Sequence, residues 1–357
     1  MIKYLGSKRR LLPTILDLVE RATARPPGTA IDLFSGTSRV GHALKARGWR
    51  VLANDHNAYA HTLATCYVQA DAQDVLADAQ GVLDELRTLP GRPGYFTQTF
   101  CERSRFVHPR NGERIDAIRS RIETMGLEPE LKAVVLTSLV EAADRVDSTT
   151  GVQMAYLKAW APRALNALEL RVPSVLPRAG VGKGVALGMD ALDGARAFAE
   201  IEPDVDVAYL DPPYNQHSYL GNYHVWETLV RWDAPEVYGV ACKRVDCRER
   251  RSRFNSKAGI APALAEVIGA VRARTLIVSF SDEGRLTREQ VAALLADRFG
   301  EAPVVVERED RRYVGAQIGI YNPSGERVGR VKHLHNREFL FVAGEGARAI
   351  EGLEIAA

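Results

Sequence analysis

Residues 29–57 constrain the fold more than any other stretch. "TAIDLF" (29–34) is a short apolar run of strand character, and Gly36 and Thr37 then turn the chain. "RVGHALKARG" (39–48) has helical apolar spacing and stops at Gly48, and "RVLANDHN" (50–57) is a second strand with a polar edge. A strand, a crossover helix and a second strand at this spacing form one βαβ unit, which builds a parallel sheet. "LLPTILDLVERAT" (11–23) supplies a further helix before it.

The pattern then breaks. From about residue 60 to 172 the periodicity is mostly helical, interrupted by the looser "GRPGYFTQTFCERSRFVHPRN" (91–111). Strand character resumes at "GVALGMDAL" (184–192), "DVAYL" (206–210), "RTLIVSF" (274–280) and "APVVVERE" (302–309). The end of the chain reads as a hairpin of "AQIGIYN", a "PSGE" turn, "RVGRVKHL" and "REFLFVA". The expected architecture is α/β: one sheet domain from residues 1–60 and 182–357, with a mostly helical insertion over 61–181.

Composition narrows the setting. Hydrophobic residues make up 46% of the 357, enough for a globular interior. Apolar runs such as "AVVLTSLV" are far shorter than the roughly 20 residues of a membrane span. "MIKYLGSKRR" has no signal-peptide core, so a cytoplasmic location is expected. The four cysteines form no CxxC pair and no zinc-like spacing with histidine, so no metal is expected.

The turn "IDLFSGTSRVG" (31–41) ends a strand and opens a helix. Gly36 lets a ligand approach the backbone, and helix N–H groups then face it. No GK[ST] follows, so this is not a phosphate-binding P-loop, and it departs from GxGxxG. Asp55 ends the next strand, 23 residues after Asp32, where a carboxylate meets ribose hydroxyls. A nucleoside cofactor without a required pyrophosphate fits this loop better than a dinucleotide.

At "DVAYLDPPYN" (206–215) a strand stops against two prolines. Asp211 would stand at the carboxyl edge of a parallel sheet, where such folds place ligands. Pro212 and Pro213 fix φ and remove donors, so the backbone is stiff. Asp211 and the Pro212 carbonyl can together accept both hydrogens of a planar exocyclic amine. Tyr214 offers a flat face on which a base could stack.

"DLFSGT" followed by "ND", and then "DPPYN", resembles the DNA adenine-N6 methyltransferases of the DNA adenine methylase type. The order also matches: an N-terminal lysine–glycine segment, the FxG turn, a helical target-recognition insertion, then DPPY. The resemblance covers nearly the whole chain and implies a Rossmann-like methyltransferase sheet with a C-terminal β-hairpin. It implies that Tyr4 and Lys8 help hold S-adenosyl-L-methionine. Asp32, Phe34, Ser35, Gly36 and Thr37 would surround its methionine end, Asp55 its ribose and Asp190 its adenine. Asp211, which also meets the cofactor, would form the target-adenine pocket with Pro212, Pro213 and Tyr214. One departure is that Ser38 stands where a second glycine often falls.

The partner implied is double-stranded DNA. "CKRVDCRERRSRFNSK" (242–257) sets Lys243, Arg244, Arg248, Arg250, Arg251, Arg253 and Lys257 against Asp246 and Glu249, a net +5 in a chain of total +2. Such a cluster suits phosphates. Arg105 and Arg110 in the looser stretch, and Asn215 after DPPY, are further candidates for DNA contact. His217 and His224 read as part of the substrate loop and not as metal ligands. No nuclease-like motif is present, so restriction would need a separate protein. Two alternatives stay open: methylation of another exocyclic amine (cytosine-N4, or a base in RNA), or a non-catalytic DNA-binding protein on this scaffold.

Overall fold

The computed structural model describes residues 1–311 and 335–351. Its strands are β1 (Thr29–Asp32), β2 (Arg50–Asn54), β3 (Val185–Leu187), β4 (Val207–Leu210), the short pair β5 (Val237–Tyr238) and β6 (Lys243–Arg244), β7 (Thr275–Ser281), β8 (Val304–Arg311) and β9 (His335–Gly344). Helices α1 (Leu12–Thr23), α2 (Arg39–Ala46) and α3 (Ala58–Ala64) interleave with β1 and β2. The insertion carries α4 (Ala72–Thr88), α5 (Pro109–Thr124) and α6 (Pro129–Arg145). After β3 come α7 (Ala191–Ile201), α8 (Tyr219–Asn222), α9 (His224–Arg231), α10 (Ile260–Ala270), α11 (Arg288–Phe299) and α12 (Glu345–Ile350).

The expected βαβ unit forms. β1 and β2 run parallel, Thr29 opposite Arg50 and Asp32 opposite Ala53, and every residue of β1 is buried. Burial on both faces is why "TAID" shows no alternation. The central sheet has the order β3-β2-β1-β4-β7-β9-β8. Its first five strands are parallel, and β9 runs antiparallel between β7 and β8. The strand order reverses between β1 and β4, so the chain leaving these two strands diverges and opens a crevice at their carboxyl ends. The Phe34–Gly36 turn and Asp211 both emerge there.

Of the expected terminal hairpin, only the last strand falls among the described residues. "REFLFVA" lies in β9, and its antiparallel partners are β7 and β8. "AQIGIYN", "PSGE" and "RVGRVKHL" lie outside the described residues.

The insertion is helical as expected, with π-helical turns at Thr65–Gln69 and Thr97–Glu102. Proline opens α5 and α6 at the position where its missing N–H costs nothing. The looser stretch is held by one buried carboxylate: Asp116 of α5 accepts from the Gly94, Phe96 and Thr97 N–H groups and from the Thr97 hydroxyl. The root is tied down by Lys45 of α2, whose buried ammonium meets Asp71 at 2.9 Å and the Val68 and Ala70 carbonyls. The insertion does not bury its apolar face alone. Its core runs on through Tyr223, Val225, Trp226 and Leu229, which follow DPPY, and through Ile2.

Candidate active site

Two cavities adjoin at the sheet's carboxyl edge. The first, with about 600 Å³ of empty space including its mouth, is lined by Phe34 and Gly36 after β1, and by Asp55, Asp190, Asp211 and Pro213. The second, about 840 Å³ on the same measure, is lined by Lys8, Arg10, Tyr214, Asn215, His217 and Glu338. Tyr4, Gly6 and Tyr219 line both and form the wall between them.

That wall is an aromatic stack. The Tyr4 ring lies 4.6 Å from Tyr223 and 5.1 Å from Tyr219, at interplanar angles of 16° and 15°. The Tyr4 hydroxyl is 3.1 Å from that of Tyr59, and Tyr223 accepts the Leu5 N–H. These contacts lock the N-terminal segment over the crevice.

The first cavity is built to admit a ligand along the backbone. Gly36 has φ +51°, and a Cβ there would lie 3.1 Å from the Tyr4 ring. Asp55 accepts the Gly36 N–H through one oxygen and the Asn57 N–H through the other. Asp190 caps α7 by accepting the Leu192 N–H and stands in the cavity wall. Phe34 and Phe254 meet edge to face at 5.2 Å on the same wall. Apolar rings, carboxylates for hydroxyls and a glycine cradle fit a nucleoside cofactor such as S-adenosylmethionine. Ser35 and Thr37 are buried, and the Ser35 hydroxyl has no partner among the described residues.

Like Ser35 and Thr37, Asp32 and Lys8 are absent from the lining of the first cavity. Asp32 is buried beneath the turn, where it accepts the Gly41 N–H at 2.9 Å and braces the start of α2. Burial pushes its carboxyl up to about 7, against the Gly41 hydrogen bond and with help from the nearby charges of Asp211 and Asp55. Lys8 belongs to the second cavity. Its ammonium lies 3.1 Å from Asp211 and 3.5 Å from Glu338, and 5.6 Å above the Tyr214 ring. Burial lowers the Lys8 pKa, but Asp211 and Glu338 outweigh it and the ammonium stays charged. Asp211 stands above the usual carboxylate range because burial exceeds what Lys8 returns.

DPPY thus spans both cavities. Asp211 and Pro213 face the first, and Tyr214 the second, where its ring packs 5.5 Å from Phe280. Asn215 lines the second cavity and accepts the His217 N–H. His224, expected in a substrate loop, is instead buried between the Phe100 and Phe106 rings, with its Nε2 3.0 Å from the Gln153 carbonyl.

The basic segment 242–257 is not a free cationic patch. Arg244 is only 2% exposed and pairs with both oxygens of Asp233 and both of Asp246. Arg250 pairs with Glu227, and Arg253 with both oxygens of Glu266. The acids that absorb this charge lie mostly outside the segment, which is why its local net charge misleads. Arg248, Arg251 and Lys257 are exposed, Arg248 stacking 3.8 Å from the Tyr238 ring centre. Arg105 lies over Trp160 at 4.8 Å, and Arg110 donates to the Leu165 carbonyl. Phe254 carries no motif of its own, and only the tertiary fold reveals it at the site.

The reversed β9 and the crevice at the switch between β1 and β4 define a Rossmann-like methyltransferase fold. The chain belongs to the D12 class of N6 adenine-specific DNA methyltransferases, whose sequence model matches residues 4–279. It is 29% identical over 349 residues to the Type II methyltransferase M.NlaIII of Neisseria lactamica, covering 95% of this chain and 100% of that one. It is 30% identical over 311 residues to the Type II methyltransferase M.FokI of Planomicrobium okeanokoites, and 26% over 310 residues to the modification methylase StsI of Streptococcus sanguinis. These matches cover 82% and 83% of this chain but 46% of each relative, so the chain spans about half their length. No solved structure matches it. Among the described residues no helix is long and apolar enough to cross a membrane, and no group of three His, Cys, Asp or Glu side chains could hold a metal ion.

Proposed function

We propose that the protein methylates N6 of adenine at a specific site in double-stranded DNA, in the cytoplasm, with S-adenosyl-L-methionine as donor. The observation that carries this reading is the position of Asp211, in the wall of the first cavity and 3.1 Å from Lys8 in the second. A carboxylate at that junction can hold an amine from one cavity against a donor in the other. Bound S-adenosylmethionine supplies a methyl group on an electrophilic sulfonium.

The chain's own residues do the rest. The target base must leave the stack, because a duplex buries N6. Tyr214 offers its ring to the base in the second cavity. Asp211 and the Pro212 carbonyl accept the two amino hydrogens, which leaves the nitrogen lone pair free; an N–C bond would replace the donor's S–C bond, and the amino proton released would pass to solvent. Lys8 keeps Asp211 in its accepting form. Positioning and fixed charge supply the catalysis, with no covalent bond to the protein. Tyr4, Phe34, Gly36, Asp55 and Asp190 hold the donor, and Arg248, Arg251 and Lys257 meet phosphates. The relatives' names support a modification role, and a separate restriction endonuclease would act on the same site.

The test is methyl transfer from labelled S-adenosylmethionine to duplex DNA, followed by nucleoside analysis, for wild type and Asp211→Ala. N6-methyladenine from wild type and at least a hundredfold less from the variant is the expected result. Another modified base, or near-normal transfer by the variant, would sink the assignment.

A further inference from the structure

The ion-pair network that absorbs Arg244 holds up a hairpin. β5 and β6 pair antiparallel, Val237 with Arg244 and Tyr238 with Lys243, around the turn Gly239–Cys242. Gly239 and Cys242 both have positive φ, and the Cys242 N–H closes the turn on the Gly239 carbonyl. The root is fixed on every side. Cys242 is buried in the insertion's core, Arg244 is clamped by Asp233 and Asp246, Tyr95 donates to the Pro235 carbonyl, and Arg248 stacks on Tyr238. At the apex Val240 is 77% exposed, more than any other large hydrophobic side chain described.

A single exposed valine needs no explanation by itself. This one stands on a cation-flanked support that α8 links to the wall of the base cavity. Lys243, at the foot of the turn, lies 2.9 Å from the sulfur of Met154, itself 47% exposed. A Cβ placed on Gly221 would come within 4.0 Å of the Lys243 ammonium. Gly221 belongs to α8, the helix that carries Tyr219 into the wall between the two cavities. The next residue of that helix, Asn222, receives the Gln153 N–H from the loop that bears Met154. The hairpin, the Met154 loop and the cavity rim are therefore one connected surface.

We propose that the β5–β6 hairpin is the wedge that opens the duplex: Val240 enters the base stack and fills the space the target adenine leaves, with Met154 exposed on the adjoining loop. This rests on the reading that the chain methylates adenine in duplex DNA. Apolar wedges hold unstacked steps because they replace the lost stacking contacts. Lys243 and Arg248 at the hairpin's foot suit the flanking phosphates. A rigid root is required, since a floppy tip would be pushed aside sooner than a base pair would part.

The test uses the full chain after its methylated site has been mapped, and compares wild type, Val240→Ala and Met154→Ala on two duplexes. In one the target adenine faces thymine; in the other it faces an abasic site, where leaving the stack costs less. The wedge predicts that Val240→Ala loses about tenfold or more in kcat/KM on the paired duplex and recovers to near wild type on the abasic one. Fluorescence of 2-aminopurine at the target position should fall in parallel on the paired duplex. Wild-type rates on the paired duplex, or an equal loss on both, would overturn the wedge. Failure of the wild-type chain to methylate either duplex would instead overturn the activity, and the wedge with it.

Discussion

The Lys8 ammonium sits 3.1 Å from the Asp211 carboxylate, joining the N-terminal segment to the DPPY strand end within a buried site. Burial alone favours the protonated acid, and Lys8 is what opposes it. Lys8→Met should therefore raise the Asp211 pKa further. The acid limb of kcat/KM should move to higher pH, while Lys8→Arg keeps the limb near its original place. The variant should also lose about 3 kcal/mol of stability, because one charge is left buried without its partner. A pH–rate profile unchanged in Lys8→Met would contradict this role.

Ser38 occupies the left-handed region, φ 57°, at the start of α2, and its buried hydroxyl has no partner among the described residues. This is where the sequence departs from the second glycine of related turns. A non-glycine residue there costs roughly 1 kcal/mol, and the orphaned hydroxyl adds to it. Glycine's greater freedom in the unfolded chain offsets part of the gain. Ser38→Gly should raise the melting temperature or leave it unchanged, with cofactor affinity preserved. A clear drop in thermal unfolding temperature would rule the strain out.

Arg244 and its neighbours divide into structural and exposed cations. Arg244→Met removes the buried guanidinium from Asp233 and Asp246 and leaves them only Arg231 as a shared cation, and should cost about 2 kcal/mol in urea unfolding. It should leave the salt dependence of DNA binding as it was. Arg251→Ala and Lys257→Ala should do the reverse, each lowering the slope of log affinity against log salt by about 0.9 if its phosphate contact is lost. A flattened salt slope in Arg244→Met would reverse this division.

His224 is buried neutral. Burial lowers its pKa to about 3, with Lys243 and Arg244 adding to that and the Gln153 carbonyl opposing. A histidine depressed in the folded state favours folding above its unfolded pKa, near 6.5, and the benefit is lost as pH falls toward the folded value. Wild type should lose about 3 kcal/mol from this residue between pH 7 and pH 4. In urea unfolding, His224→Gln should be the less stable chain at pH 7, with the gap closing as pH falls. A pH-independent gap would show that the imidazole titrates alike in both states.

Sequence alone determined the βαβ start, the helical insertion and the DPPY strand end. Each rests on short-range rules: apolar periodicity, glycine stops, and prolines that no strand or helix interior tolerates. The family's motifs named most residues around the two cavities for the same reason, since strand ends carry them to one edge of the sheet. What local pattern could not decide was pairing. Whether Lys8 meets the cofactor or Asp211, and whether Arg244 meets a phosphate or Asp233, depends on which distant carboxylate the fold brings within 3 Å or so. His224 follows DPPY by only ten residues, yet lies inside the insertion's core because two segments distant in sequence bury one apolar face together. Burial sets the price of each unpaired charge, and burial is a property of the whole fold and not of any stretch of it.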